Sequence, residues 1–113
     1  MTTTNELTAM NYKSSEPRLG MGATLLLYSD RHAYTIIGIS KSGKTLTLQR
    51  DEVTRVDKNG MSEAQIYEYA INPNGHIIKA RYNAKRRQWL QSGGDYRPVV
   101  MLGDRREFYD FTF

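Results

Sequence analysis

The chain has 113 residues, of which 39 % are apolar and 25 % charged, and it contains no cysteine; this suffices for one buried core and lies outside the composition that keeps a chain disordered. The lack of cysteine excludes a disulfide framework and thiolate metal centres, and it points to a reducing compartment, here the cytoplasm. Sixteen Lys and Arg against twelve Asp and Glu leave a net charge of +4, which favours an anionic partner such as a nucleotide or nucleic acid.

Residues 1–18 are rich in Thr, Ser and Asn, contain Pro17 and show no periodicity, so they are expected to form a flexible arm. They carry no basic segment followed by an apolar one, and no stretch of the chain approaches the roughly 20 apolar residues that span a bilayer. Secretion and membrane insertion are therefore not expected. Residues 19–113 are expected to form one β domain, because short apolar or alternating runs recur there with turn signals between them.

Ala23–Tyr28 and Tyr34–Ile39 are the first two runs, joined by the polar Ser29-Asp30-Arg31-His32. Lys44–Arg50 alternates strictly, with Leu46 and Leu48 on one face and Thr45, Thr47 and Gln49 on the other. Lys41-Ser42-Gly43 supplies the turn before it. Asp51–Ala64 lacks a β signal and reads as a loop or helical turn. Gln65–Ile71 and His76–Tyr82 flank Asn72-Pro73-Asn74-Gly75, which predicts a tight hairpin with Asn-Gly at positive φ. A second hairpin turns at Asn83–Arg86 into Gln88-Trp89-Leu90, and Val99–Leu102 and Glu107–Phe113 are the last strand-like segments. The order predicts an all-β fold: a small SH3-like or Tudor-like barrel with an added β-hairpin and a C-terminal strand. Such barrels host many functions, so the fold does not select one.

Gly38-Ile-Ser-Lys-Ser-Gly43-Lys44-Thr45 satisfies the pattern of a phosphate-cradling loop. That chemistry needs a helix starting at the lysine, whereas Leu46-Thr47-Leu48-Gln49 alternates as a strand. A hairpin turn is the better reading, and a nucleoside-triphosphate hydrolase is not expected. Ser29, Asp30, Arg31 and His32 hold the residue types of a catalytic triad, but neighbours in a loop seldom converge, so they read as a turn or a ligand-contacting loop. Two histidines, His32 and His76, make no metal site, and no cofactor is expected.

Lys79, Arg81, Lys85, Arg86 and Arg87 interleave with Tyr82 and Trp89 and include no acid between them. Guanidinium groups pair with phosphates and aromatic rings stack on bases, so this mixture suits nucleotides or nucleic acid. Near the end, Asp104-Arg105-Arg106-Glu107 reads as local ion pairing, with one arginine available to a pocket. Eight tyrosines add rings with a polar tip, suited to shallow pockets.

Tyr28-Ser-Asp-Arg-His-Ala-Tyr-Thr-Ile-Ile37, Lys44-Thr-Leu-Thr-Leu-Gln-Arg-Asp51, Pro73-Asn-Gly-His-Ile-Ile78 and Arg106-Glu-Phe-Tyr-Asp-Phe-Thr-Phe113 resemble a family of small uncharacterised proteins encoded by phages and prophages. The resemblance covers most of residues 20–113 and implies an accessory protein acting in the cytoplasm of an infected bacterium. The resemblance implies that this chain is shortened between Asp51 and Gln65 relative to that family. The expected role is non-enzymatic counter-defence: sequestration of a nucleotide-derived immune signal, with a homo-oligomer completing the pocket. Tyr28, Asp30, Arg31, Arg81, Trp89 and Arg106 are the candidate ligand-binding residues, with arginines on phosphates, aromatics on the base, and Asp30 or Asn74 on ribose hydroxyls. The alternatives are an SH3-like module that binds nucleic acid or a host nucleoprotein, in the manner of an anti-CRISPR inhibitor, and a virion structural component.

Overall fold

A computed structural model describes residues 16–111. The expected arm falls outside the described residues except for its last three positions, as do Thr112 and Phe113.

Six strands close an antiparallel barrel, and two more form a ribbon of their own. The barrel strands are β1 (Gly22–Leu26), β2 (Arg31–Ile39), β3 (Thr45–Arg50), β6 (Ile77–Asn83), β7 (Gln88–Gln91) and β8 (Val99–Leu102); β8 pairs back onto β1 and closes the ring. The ribbon pairs β4 (Glu52–Arg55) with β5 (Tyr67–Ala70). The alternation of β3 is realised as read: Leu46 and Leu48 are fully buried, while Thr45, Thr47 and Gln49 alternate with them on the outer face. They meet Ile36, Ile78, Ala80, Trp89, Val100 and Leu102 in one apolar cluster, each large aliphatic side chain contributing about 1.5–3 kcal/mol by leaving water.

β1 and β2 depart from simple alternation. Ala33, Tyr34, Thr35 and Ile36 are buried in succession, because both faces of β2 are covered. Tyr34 and Ile36 face the core. On the other face, Thr35 and Ala33 lie under the segment that follows β8. A bulge between Ile36 and Gly38 shifts the pairing of β2 with β3.

The turn at Lys41-Ser42-Gly43 forms as expected, with Gly43 at φ +77° and its N–H donating to the Ser40 carbonyl at 2.9 Å. Thr45 then enters β3 directly, so Gly38–Thr45 is a hairpin between two strands. The hairpin of β6 and β7 also forms, with the Asn83 side chain accepting from the Arg86 N–H.

Three expectations are corrected. Asn72–Gly75 does not join a paired hairpin: β5 pairs with β4, and β6 pairs with β3. The chain through β3 and β4 therefore runs antiparallel to the chain through β5 and β6, and Asn72–Gly75 is a kink in the second of them. The Gly75 N–H donates to the Asn72 carbonyl. Gly75 is required for lack of space rather than for positive φ, since a Cβ there would lie 2.1 Å from the Arg50 carbonyl oxygen. Second, Asp51–Ala64 is not free of β structure, because it contains β4. The ribbon is closed by Asp57, whose carboxylate accepts from Arg55 Nε, Asn59 N and Ile66 N. The Arg55 bond foremost, then the two N–H groups, holds that carboxyl well below the usual carboxylate range. Third, Glu107–Phe113 does not form a strand over its described part; it makes a single β-bridge, between Phe108 and Arg31, and its remaining polar groups pair mainly with side chains.

Gly75→Ala is expected to destabilise the protein by about 2 kcal/mol or more through this collision with backbone. Gly94→Ala, where the nearest atom is 4.0 Å from the added carbon, is expected to stay within about 0.5 kcal/mol. Urea unfolding midpoints of the two variants measure the difference.

Candidate functional site

The chain bends at Asp51, where β4 leaves the barrel, and the segment Gly103–Phe111 fills the gap beside the exposed end of β2. Every buried polar or charged residue of the described chain lies in the layer this creates: Thr24, Thr35, Asp51 and Glu107. Thr24 accepts from the Arg106 N–H and donates to the Asp104 carbonyl. Asp51 takes a hydroxyl from Thr35 at 2.5 Å and the Arg105 Nε at 2.8 Å, while a second Arg105 nitrogen reaches the Thr35 hydroxyl. The guanidinium lies over Gly22, where an added Cβ would stand 2.6 Å from it. Glu107 is held by a two-pronged pair with Arg50 at 2.6 and 2.9 Å, by the Tyr109 hydroxyl and by the Ala33 N–H. All four groups are satisfied, as burial away from water demands.

Burial acts to raise the Glu107 carboxyl, but the bonds from Arg50, Tyr109 and Ala33 together outweigh it and hold the group below its ordinary value. Tyr109 is pushed up to about 12, by burial first and then by the Glu107 carboxylate it bonds. His32 packs 5.7 Å from the Tyr109 ring and is lowered by burial and by the nearby Arg50 charge.

Above this layer opens a cleft of about 790 Å³, within the range of small-molecule sites. The loop between β1 and β2 supplies Tyr28, Ser29 and Arg31. This loop is tight: the Leu27 N–H donates to the Asp30 carbonyl, and Asp30 Oδ1 accepts from the Asp110 N–H at 2.9 Å. The residues after β8 supply Arg106 and Phe108, with Glu107 beneath. β5 supplies Tyr67 and Tyr69 from one face, and Gln65, two residues before the strand, joins them. Ribbon and tail are laced together by Tyr69 Oη accepting from Glu107 N and by Gln65 bonding both the N–H and the carbonyl of Tyr109.

The three arginines on the cleft differ in freedom. Arg105 is committed to Asp51 and Thr35. Arg106 pairs only with exposed Asp104 at 2.6 Å, a contact worth little in water. Arg31 takes no part in an ion pair among the described residues, while its backbone is fixed by two hydrogen bonds to Phe108. The cleft thus presents two available guanidinium groups beside four aromatic rings, those of Tyr28, Tyr67, Tyr69 and Phe108.

Of the six residues expected to bind ligand, Tyr28, Arg31 and Arg106 line this cleft, and Asp30 braces its wall. Arg81 and Trp89 lie elsewhere. Trp89 is 6 % exposed in the barrel core against Tyr82, so its indole is not presented for stacking. Arg81 is exposed on β6. Asn74 stands in the kink between β5 and β6, with its N–H bonded to Asn72. The local pairing expected of residues 104–107 holds for Asp104 and Arg106, whereas Arg105 and Glu107 find partners 54 and 57 positions away. Gln65, Tyr67 and Tyr69 were signalled only by their i, i+2, i+4 spacing. Comparison with known proteins gives no match to a family model, to a curated protein or to a solved structure.

Both titrating groups make the fold acid-sensitive. The folded His32 resists protonation below its ordinary 6.5, so its contribution is full above that pH and is lost as pH falls through the lower folded value. Glu107 contributes fully above its ordinary 4.5 and fails as pH falls through its own lower folded value. Glu107→Gln is expected to lower stability at pH 7 by about 3 kcal/mol by leaving Arg50 unneutralised. His32→Gln is expected to flatten only the limb that begins near pH 6.5. Denaturant titrations across pH 4–8 read both outcomes.

Proposed function

We propose that the protein is a non-catalytic binding protein that takes a small anionic ligand bearing a planar ring, of nucleotide type, in the cleft between the β1–β2 loop, the tail and β5. The observation that carries this reading is Arg31, a guanidinium without an ion-pair partner among the described residues, standing beside Tyr67, Tyr69 and Phe108 in a cleft of ligand size. A phosphate matches the forked donors of Arg31 and Arg106, and a base matches the aromatic wall. The polar groups that line it are those of Arg31, Arg105, Arg106, Tyr28, Tyr67, Tyr69, Gln65 and Ser29, with the carboxylates of Glu107 and Asp110, and we read them as groups for holding a ligand.

The resemblance to phage-encoded proteins gives this reading a setting: the ligand is a nucleotide-derived immune signal made by a bacterial host, removed from circulation in its cytoplasm. In an open cleft of this kind, a second copy of the chain would add a wall and raise the ligand's burial.

Native mass spectrometry of the protein purified from bacteria, compared with its mass after denaturation, is expected to show a bound small molecule with nucleotide absorbance. Arg31→Ala with Arg106→Ala is expected to weaken binding at least tenfold while leaving the unfolding temperature within about 2 °C, because each lost charge-assisted bond is worth about 1.5–3 kcal/mol and neither guanidinium supports the core. A protein that carries no small molecule, and whose unfolding temperature no nucleotide raises, would refute the proposal.

A further inference from the structure

A second cationic surface lies on the other side of the sheet order, and it shares no residue with the cleft. From Ile71 to Gly94 the sequence holds five Lys and Arg and no Asp or Glu. The barrel gathers this excess onto one face. Lys79 and Arg81 are both exposed on β6, two residues apart, with Thr47 and Thr45 of β3 directly opposite them. No carboxylate occurs in β3, β6 or β7. The turn after β6 adds Lys85, Arg86 and Arg87, all exposed, with Arg87 held at φ +55°. Arg97, from the loop before β8 and with its Nε donating to the Gly94 carbonyl, lines together with Arg81 a recess of about 210 Å³ whose other walls include Asn83, Gln91 and Ser92.

This arrangement has the two components of a single-strand binding platform. Side chains two residues apart on a strand stand about 6.6 Å from one another, close to the spacing of successive phosphates along an extended nucleic-acid strand, so Lys79 and Arg81 can follow a backbone. Tyr82 packs against the barrel core and Trp89 with the Lys44 ammonium over its ring, so the exposed ring of this face is Tyr96, 63 % exposed, which precedes Arg97. Tyr96 is the ring on which a base would stack. A phosphate fits the recess between Arg81 and Arg97, with the amides of Asn83 and Gln91 as neutral donors.

We propose that the outer face of β3, β6 and β7 binds single-stranded nucleic acid, with Arg81 and Arg97 clamping one phosphate and Lys79 the next. The face is open and charged where the cleft is concave and aromatic, so the two sites act independently.

The test is fluorescence anisotropy of a labelled 20-nucleotide oligothymidylate titrated with the full chain. Contact with about four phosphates, two at Arg81, Arg97 and Lys79 and the others along the exposed Lys85–Arg87 turn, predicts a salt slope near −3, and hence about fifty-fold weaker binding at 200 mM than at 50 mM salt. Arg81→Glu with Arg97→Glu is expected to weaken binding at least twentyfold at 50 mM salt. Arg81→Gln with Arg97→Gln, which removes charge without reversing it, is expected to give an intermediate loss, and circular dichroism checks that each variant is folded. Arg31→Ala with Arg106→Ala is expected to bind the oligonucleotide as the parent chain does, which separates this site from the cleft. No anisotropy change at 50 mM salt overturns the proposal, as does binding that the Arg81 and Arg97 variants leave intact. Equal affinity for a duplex of the same length overturns the single-strand assignment, and competition by anionic lipid vesicles stronger than by unlabelled oligonucleotide assigns the face to membranes instead.

Discussion

Two carboxylates are held out of water between the barrel and the segment that follows its last strand, and the arrangement of that whole end of the molecule depends on their neutralisation. Asp51 marks the point at which β4 departs from the barrel, and Glu107 sits in the segment that fills the space so opened. Each carries a charge that would be costly to bury alone, and each is met by an arginine from a distant part of the chain. Because these pairs are also bonded to Thr35, Tyr109 and the Ala33 N–H, the layer fixes geometry as well as cancelling charge. A layer of this kind specifies one arrangement of tail against barrel, since any slip would strand a buried charge.

The cleft inherits its order from that layer. Its floor is made of groups whose hydrogen bonds are complete, and its wall of tyrosines is tied to the tail through Tyr69 and Gln65. Its rim carries Arg31 and Arg106, whose side chains reach into solvent from anchored backbone. Ligand binding on such a frame need order few side chains, which is the condition under which modest contact area yields useful affinity.

Much of the barrel was legible in the sequence, because its signals are local. The alternation of Leu46 and Leu48, the glycine turn at Gly43 and the break after Asn83 each report on residues within a few positions. What was hidden depended on partners far along the chain. Asn72-Pro73-Asn74-Gly75 has the composition of a hairpin head, yet tertiary pairing places it in a kink, and only the carbonyl of Arg50 explains the glycine. Asp51–Ala64 lacked a β signal because β4 is a half-exposed strand with charged residues at both ends. In the site, Tyr28, Arg31 and Arg106 were found as exposed residues of binding type in polar segments. Trp89 was misplaced for the opposite reason: an aromatic beside a run of arginines reads as a stacking group, but its alternation within β7 points it inward. Arg105 and Glu107 looked like neighbours pairing with neighbours, and no sequence signal tells a local ion pair from one closed across 54 or 57 residues.

Those separations also distinguish local from long-range contacts. The ribbon of β4 and β5 and the hairpin of β6 and β7 join segments close in sequence and can form early. The buried layer cannot: Asp51 and Arg50 enter with β3, while Arg105, Glu107 and Tyr109 follow every strand against which they pack. Without that segment, Asp51 would lack Arg105 and Arg50 would lack Glu107. The tail therefore acts as a clasp closed across 54 and 57 residues, and the cleft above it exists only where that clasp is in place.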